Sequence, residues 1–229
     1  MTARQLTFDL GHDPALGRGA FFVGPSNAVA VAALDGWEGW PNRRMLLVGP
    51  AGSGKTHLAA IWAGDVGARR IEGFTLPVQG DLTGLASGPV VVENAEDLAG
   101  ERGRESGLFH LWNLMGETGQ PLLITAALPP RDWGLVLPDL ASRLLSAPVT
   151  RLEPPDDGLL SAVLVKLFAD RQLAVDPTVV AWLLPRMDRS IAAARDIVGR
   201  LDQLSLQRRA PVSRGMAAEI LDFSSAQAD

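Results

Sequence analysis

Apolar and polar positions along the chain follow two rhythms. Four short runs are almost continuously apolar: MLLVG (residues 45–49), VVVEN (90–94), PLLITA (121–126) and APVTRL (147–152). Such runs suit strands of a parallel sheet that is covered on both faces. RRIEG (69–73) is a weaker fifth. Between them the period lengthens to that of a helix, over residues 56–63 and again over 107–116, where Leu108, Leu111, Trp112 and Met115 form one stripe. Strands and helices in alternation predict an α/β core. After residue 152 the strand rhythm stops. The prolines of EPPDD (153–157) end the last strand, and Asp156 is placed to cap the next helix. The remainder reads as helices over 157–172, 177–186, 190–207 and 213–223, with Pro177 at a first-turn position behind Asp176. The expected organisation is a tail at 1–12, an α/β unit at 13–153 and a helical unit at 154–229.

The tail has a pattern of its own. In QLTFDL, Leu6, Phe8 and Leu10 alternate with Thr7 and Asp9 behind Gln5. This is either an edge strand of the protein's own sheet or an extended peptide for another protein's pocket.

Composition narrows the classes. With 229 residues, 47% of them apolar and 21% charged, the chain can bury a sizeable core without staples. The absence of cysteine excludes a disulfide scaffold, a thiolate zinc site and thiol catalysis, and fits a reducing compartment. His12, His57 and His110 are scattered, which argues against a metal-ligand cluster. No apolar run reaches the roughly 18 residues that span a bilayer, and the N-terminus lacks the basic-then-apolar pattern of a signal peptide. A cytoplasmic location without membrane contact is expected. The net charge of −5 makes strong direct DNA binding unexpected, since such affinity comes largely from neutralising phosphates. One segment, QRRAPVSRG (207–215), is nevertheless locally basic. Lys55 and Lys166 are the only lysines, which makes the place of Lys55 informative.

Lys55 closes GPAGSGKT (49–56), a G-x-x-x-x-G-K-[ST] motif that follows a predicted strand and opens a predicted helix. Glycines let the loop curl so that successive backbone N–H groups point at phosphate oxygens, and the helix start adds its positive dipole end. Lys55 would reach the β- and γ-phosphates, and Thr56 would offer its hydroxyl to Mg²⁺. The candidate phosphate site is therefore Gly49, Pro50, Ala51, Gly52, Ser53, Gly54, Lys55 and Thr56, with His57 next on the helix. The second acid-bearing position of such sites is the tip of an apolar strand, where Glu93 stands; its expected task is to organise the Mg²⁺ through water. Asn94 comes next and cannot act as a base. Glu96 and Asp97 lie just beyond and are expected to point elsewhere. Nucleotide binding with weak intrinsic hydrolysis is the expectation.

Further segments carry a family resemblance. FFVGPSNAVAVAAL (21–34) resembles the opening of the AAA+ module of the bacterial replication initiator DnaA, and GLFHLWNLMGETGQPLLITA (107–126) resembles its helix and sensor I strand. LPDLASRLLSAPVTRLEPPDD (137–157) is similar to its arginine-finger segment, and MDRSIAAARDIVGRLDQL (187–204) to its sensor II helix. A lone AAA+ module behind a short tail resembles the Hda branch of DnaA-related regulators, whose N-terminal clamp-binding peptide has the form Q-L-x-hydrophobic-x-L, as QLTFDL has. The resemblance implies an AAA+ P-loop fold with a five-stranded parallel sheet and a C-terminal helical lid. It makes Arg143 the arginine finger, acting in trans on a neighbour's nucleotide. It makes Arg189 the sensor II residue and Thr125 the sensor I residue, although Ala126 and Ala127 stand where the family usually has polar side chains. Residues 21–27 would line the adenine pocket, through Phe22 and Val23 among others. Gln5, Leu6, Phe8 and Leu10 would bind the β-subunit sliding clamp of DNA polymerase III. The ligand implied is ADP or ATP with Mg²⁺, with ADP the expected resident. The partners are the clamp, DnaA and, further, a homo-oligomer of this chain. The function implied is to stimulate ATP hydrolysis by DnaA and so prevent re-initiation.

Two rival functions are compatible with the same residues. A self-assembling AAA+ ATPase, such as a helicase loader or remodelling factor, would turn over ATP alone, which Asn94 argues against. A direct origin binder would need salt-dependent DNA affinity without the clamp, which the charge argues against. Trp133, in the loop before Arg143, is a candidate for exposure at a subunit interface.

Overall fold

The apolar runs become the strands β1 (Arg44–Val48), β2 (Arg69–Glu72), β3 (Val90–Glu93), β4 (Leu122–Ala126) and β5 (Val149–Arg151) of one sheet, in the order β2-β3-β4-β1-β5. Every pairing is parallel. This is seen in a computed structural model that describes residues 21–77 and 82–225.

The alternation of side chains along each strand splits the interior into two layers. Met45, Leu47, Val91 and Leu123 pack with Leu58, Ala59 and Trp62 of α2 (Lys55–Val66) and with Ala30 and Leu34 of α1 (Ala28–Asp35). Leu46, Val48, Val90, Val92, Leu122 and Ile124 face the other way. They meet Leu108, Leu111 and Met115 of α3 (Arg102–Thr118) and Leu140 and Leu144 of α4 (Pro138–Ser146). With both faces covered, β1, β3 and β4 are buried at every position. The edge strand β2 keeps Arg69 and Arg70 exposed, which is why its apolar signal is weak. Trp133 belongs to the α3–α4 layer: it is buried and its indole N–H donates to the Leu128 carbonyl, 2.7 Å. The expectation of an exposed Trp133 is therefore corrected.

Helices end where the chain can turn left-handed. Gly67 (φ +70°) stops α2 and Gly119 (φ +68°) stops α3. Arg44, at the start of β1, locks the end of α3. It is buried, lies 5.0 Å from the Trp112 ring centroid, and donates to the carbonyls of Trp112 (2.8 Å), Asn42 (2.9 Å) and Gln120 (3.4 Å).

Beyond β5 come α5 (Asp157–Asp170), α6 (Pro177–Leu183), α7 (Ile191–Arg208) and α8 (Arg214–Ser225). Asp156 caps α5 by accepting from the Leu159 N–H (2.7 Å). Asp176 accepts from Thr178 (2.7 Å) ahead of Pro177, and Ser190 from Ala193 (3.0 Å). These helices enclose a separate core that includes Leu160, Leu164, Leu183, Val198 and Leu201. Among the described residues no helix is long and apolar enough to cross a membrane.

Candidate nucleotide site

The glycine-rich loop leaves β1 at the carboxyl end of the sheet, where open α/β folds place their ligands. Gly49 is fixed by its N–H to the Ala126 carbonyl, 3.1 Å, and a Cβ there would strike the Leu152 carbonyl. Gly52 (φ +76°) and Gly54 (φ +102°) take the left-handed backbone that curls the loop. Lys55 is buried, and its ammonium donates to the carbonyls of Gly49 (2.7 Å) and Pro50 (3.0 Å). Burial lowers its pKa, and the nearby Glu96 carboxylate raises it in part. Ser53 Oγ is buried without a hydrogen-bond partner, while Thr56 is exposed on the first turn of α2.

The acids have partners that the sequence does not reveal. Glu93, 2% exposed at the tip of β3, is held by Arg70 from β2, whose Nε (2.7 Å) and Nη2 (2.6 Å) both meet Oε1. Asn94 sits at φ +49° and spends its amide on Glu72 Oε2, 2.9 Å. Its backbone N–H reaches Thr125 Oγ1, 3.3 Å, so Thr125 joins β4 to the turn after β3. Glu96 does not point elsewhere: it accepts from the Ala127 N–H at 2.6 Å. One peptide unit, Ala126–Ala127, therefore accepts from Gly49 on one side and donates to Glu96 on the other. Strand periodicity had no means of placing Glu96 here, because it lies in a helical turn after the strand has ended.

The helical unit closes over the loop. The Ile191 N–H donates to the Gly52 carbonyl (3.1 Å), and a Cβ on Gly52 would collide with Ser190. Arg189 does not join this contact. It is exposed and pairs with Asp157 (2.9 Å) and the Pro155 carbonyl (3.4 Å) at the start of α5. Arg195 instead reaches across from α7, its Nη2 lying 3.1 Å from Nδ1 of His57. The His57 ring also meets Phe21 edge-on, with centroids 5.3 Å apart. Phe22 and Val23, next along the chain from Phe21, are exposed. Their turn is tied by Asn27, which accepts from the Gly24 N–H (2.8 Å) and donates to the Phe22 carbonyl (2.7 Å).

Arg143 is remote from this loop, on the last turn of α4. Its side chain is exposed and its guanidinium has no partner among the described residues. The helix that carries it is anchored at its other end by Glu105 of α3, a residue that no motif or periodicity singles out. Glu105 is 0% exposed and accepts from the N–H groups of Gly100 (2.8 Å), Val136 (3.0 Å) and Leu137 (2.6 Å). The clamp-directed residues Gln5, Leu6, Phe8 and Leu10 lie outside the described residues.

No family model matches the chain. Solved structures share its architecture. Domain III of the Thermotoga maritima replication initiation protein DnaA superposes with a TM-score of 0.80 at 20% identity, over 92% of this chain and 97% of that one. AMPPCP-bound DnaA from Aquifex aeolicus gives 0.68 at 16% identity, over 81% of this chain and 64% of that one. The T. maritima RuvB Holliday junction branch migration motor gives 0.65 at 18%, over 86% and 66%. The chain has the AAA+ fold, an α/β P-loop unit with a five-stranded parallel sheet followed by a helical lid.

Proposed function

We propose that the protein is an adenine-nucleotide-binding regulator of replication initiation of the Hda type: an AAA+ module that holds ADP or ATP with little turnover and lends Arg143 to a neighbouring, ATP-bound DnaA. The loop residues fit a nucleotide's phosphates. Gly52 and Gly54 open the backbone N–H cradle, Lys55 is the cation within it, and Ser53 Oγ is a buried hydroxyl in need of a partner. Mg²⁺, when bound, would supply charge neutralisation at the phosphates, with Thr56 and, through water, Glu93 as its protein contacts. The ligand is inferred to be an adenine nucleotide because the AMPPCP-bound neighbour is a DnaA.

The observation that carries the reading is the contrast between two sites on one chain. At its own nucleotide site Arg70 pairs with Oε1 of the strand-tip Glu93, and the next residue, Asn94, is an amide held by Glu72, so position 94 supplies no base to polarise water. At α4 a helix presents a guanidinium that has no partner among the described residues, and Leu145 and Val149, close in sequence, are exposed. A cation pre-positioned in this way suits charge developing on another subunit's γ-phosphate. Residues 5–10 would tether the protein to the sliding clamp as an extended peptide, with Leu6, Phe8 and Leu10 as anchors and Gln5 at the pocket edge.

The test is ATP loss from the cognate DnaA, measured with this protein and clamp loaded on DNA. Acceleration that Arg143→Ala abolishes, with clamp binding intact, supports the reading. No acceleration by the wild-type protein refutes it, and robust ATP turnover by this chain alone would favour the self-assembling ATPase instead.

A further inference from the structure

His57 has a polar atom that nothing among the described residues satisfies. The side chain is 8% exposed, and its Nε2 is buried without a hydrogen-bond partner. The other ring nitrogen fixes what Nε2 must be. Arg195 Nη2 lies 3.1 Å from Nδ1, and a guanidinium keeps its protons and can only donate. Nδ1 must therefore present its lone pair, and the neutral imidazole carries its proton on Nε2. Burial, and then the charge of Arg195, both lower the pKa of the ring. The result is a buried N–H donor of fixed tautomer whose desolvation is uncompensated until an acceptor arrives.

Its surroundings say which part of a ligand arrives there. His57 directly follows Thr56, so it lies beyond the stretch of backbone that would take the phosphates. Phe21 braces the ring edge-on at 84°, at the head of the turn whose exposed Phe22 and Val23 offer an apolar face. Gly24 of that turn packs on Leu159 of the lid, 3.8 Å from where its Cβ would stand. A flat base with acceptor nitrogens in its ring matches an apolar face with one donor set beside it.

The geometry points to His57 as the base-reading residue of the nucleotide site: its Nε2–H donates to N3 or N7 of a bound purine, and Arg195 of the lid sets the tautomer that makes it a donor. This rests on the nucleotide-binding reading above and deepens it. It also gives the lid a stake in base recognition, because Arg195 of α7 holds the ring in the donor tautomer.

The test uses analogues that delete one acceptor without changing shape. Calorimetric titration compares ADP with 7-deaza-ADP and 3-deaza-ADP on the wild-type protein, which needs no substitution. One of the two analogues is expected to bind about tenfold more weakly than ADP, the order of one lost hydrogen bond at a buried donor. His57→Phe should bind ADP about tenfold more weakly and no longer distinguish the analogues, while His57→Gln, whose amide N–H reaches the same region, should restore the distinction. Equal wild-type affinity for all three ligands, or a distinction that survives His57→Phe, overturns the inference. A wild-type protein that binds no ADP at all would overturn the nucleotide reading with it, whereas ADP binding that is lost in Lys55→Ala but blind to deaza substitution would leave that reading standing and remove this one.

Discussion

Glu105→Gln should be among the most damaging isosteric changes in this chain. The native side chain receives only N–H donors: Gly100 and Val136 on Oε1, Val136 and Leu137 on Oε2. An acceptor-only set suits a carboxylate and not an amide. In the glutamine variant one oxygen becomes NH₂. If the amide oxygen serves Leu137, the NH₂ confronts the Gly100 N–H; if it serves Gly100, Leu137 is left unpaired. Either rotamer loses at least one charge-assisted hydrogen bond, about 1.5–3 kcal/mol, and strands a buried N–H at about 1–3 kcal/mol. The expected loss is about 3–5 kcal/mol, or roughly 10 °C in melting temperature for a chain of this size. Urea denaturation measures the total. Amide hydrogen exchange gives the location: Val136 and Leu137 should exchange faster, because Leu137 is the N-cap residue of α4. A variant within about 1 kcal/mol of wild type, or unchanged protection at those amides, would refute the role given to Glu105.

Arg143→Ala should leave melting almost unchanged, within about 0.5 kcal/mol, since the guanidinium has no partner to lose among the described residues; a clear destabilisation in thermal unfolding would mean that it holds the fold. Restoring an acid at position 94 should not by itself create a working base. Asn94→Asp sets a carboxylate against Glu72 Oε2, now 2.9 Å from the amide, so about 1–2 kcal/mol of stability should go and much of it return in Asn94→Asp/Glu72→Gln. Equal stability of Asn94→Asp and wild type in denaturant would contradict this. His57 sets a pH dependence: its pKa is lowered in the folded state, so the unfolded chain takes up the proton first. Its contribution is complete above the ordinary value of 6.5 and is lost as pH falls from there toward the folded-state value. Melting curves from about pH 7.5 to 5 should drop more steeply for wild type than for His57→Phe; parallel curves would show that the ring titrates normally.

The legible part of the sequence was the part whose chemistry is local. The phosphate loop has its whole chemistry within residues 49–56, and the buried strands announce themselves as apolar runs because helices cover both faces. The caps Asp156 and Asp176 act on the next few residues and were equally legible. The α4 helix was not delimited, although its segment was noticed through Arg143. Trp133 was misplaced because nothing local reveals that α3 and α4 cover it.

The unreadable part of the site consists of pairs made by folding. Arg70 and Glu93 lie 23 residues apart and meet only because β2 and β3 run side by side in parallel. Glu96 and Ala127 are separated by 31 residues, His57 and Arg195 by 138. Each of these pairs alters a residue that the motif alone had identified or passed over. Glu93 keeps its place at the strand tip but has its charge matched by Arg70. His57 keeps its place behind the phosphate loop but acquires a fixed tautomer from the lid. A motif thus specifies which atoms lie near a phosphate, while long-range partners decide which of those atoms remain ionised, which are donors and which are spent. The same division places Arg70, Glu72 and Asn94, which pair around the strand tip, outside a phosphate loop whose own motif is without a flaw.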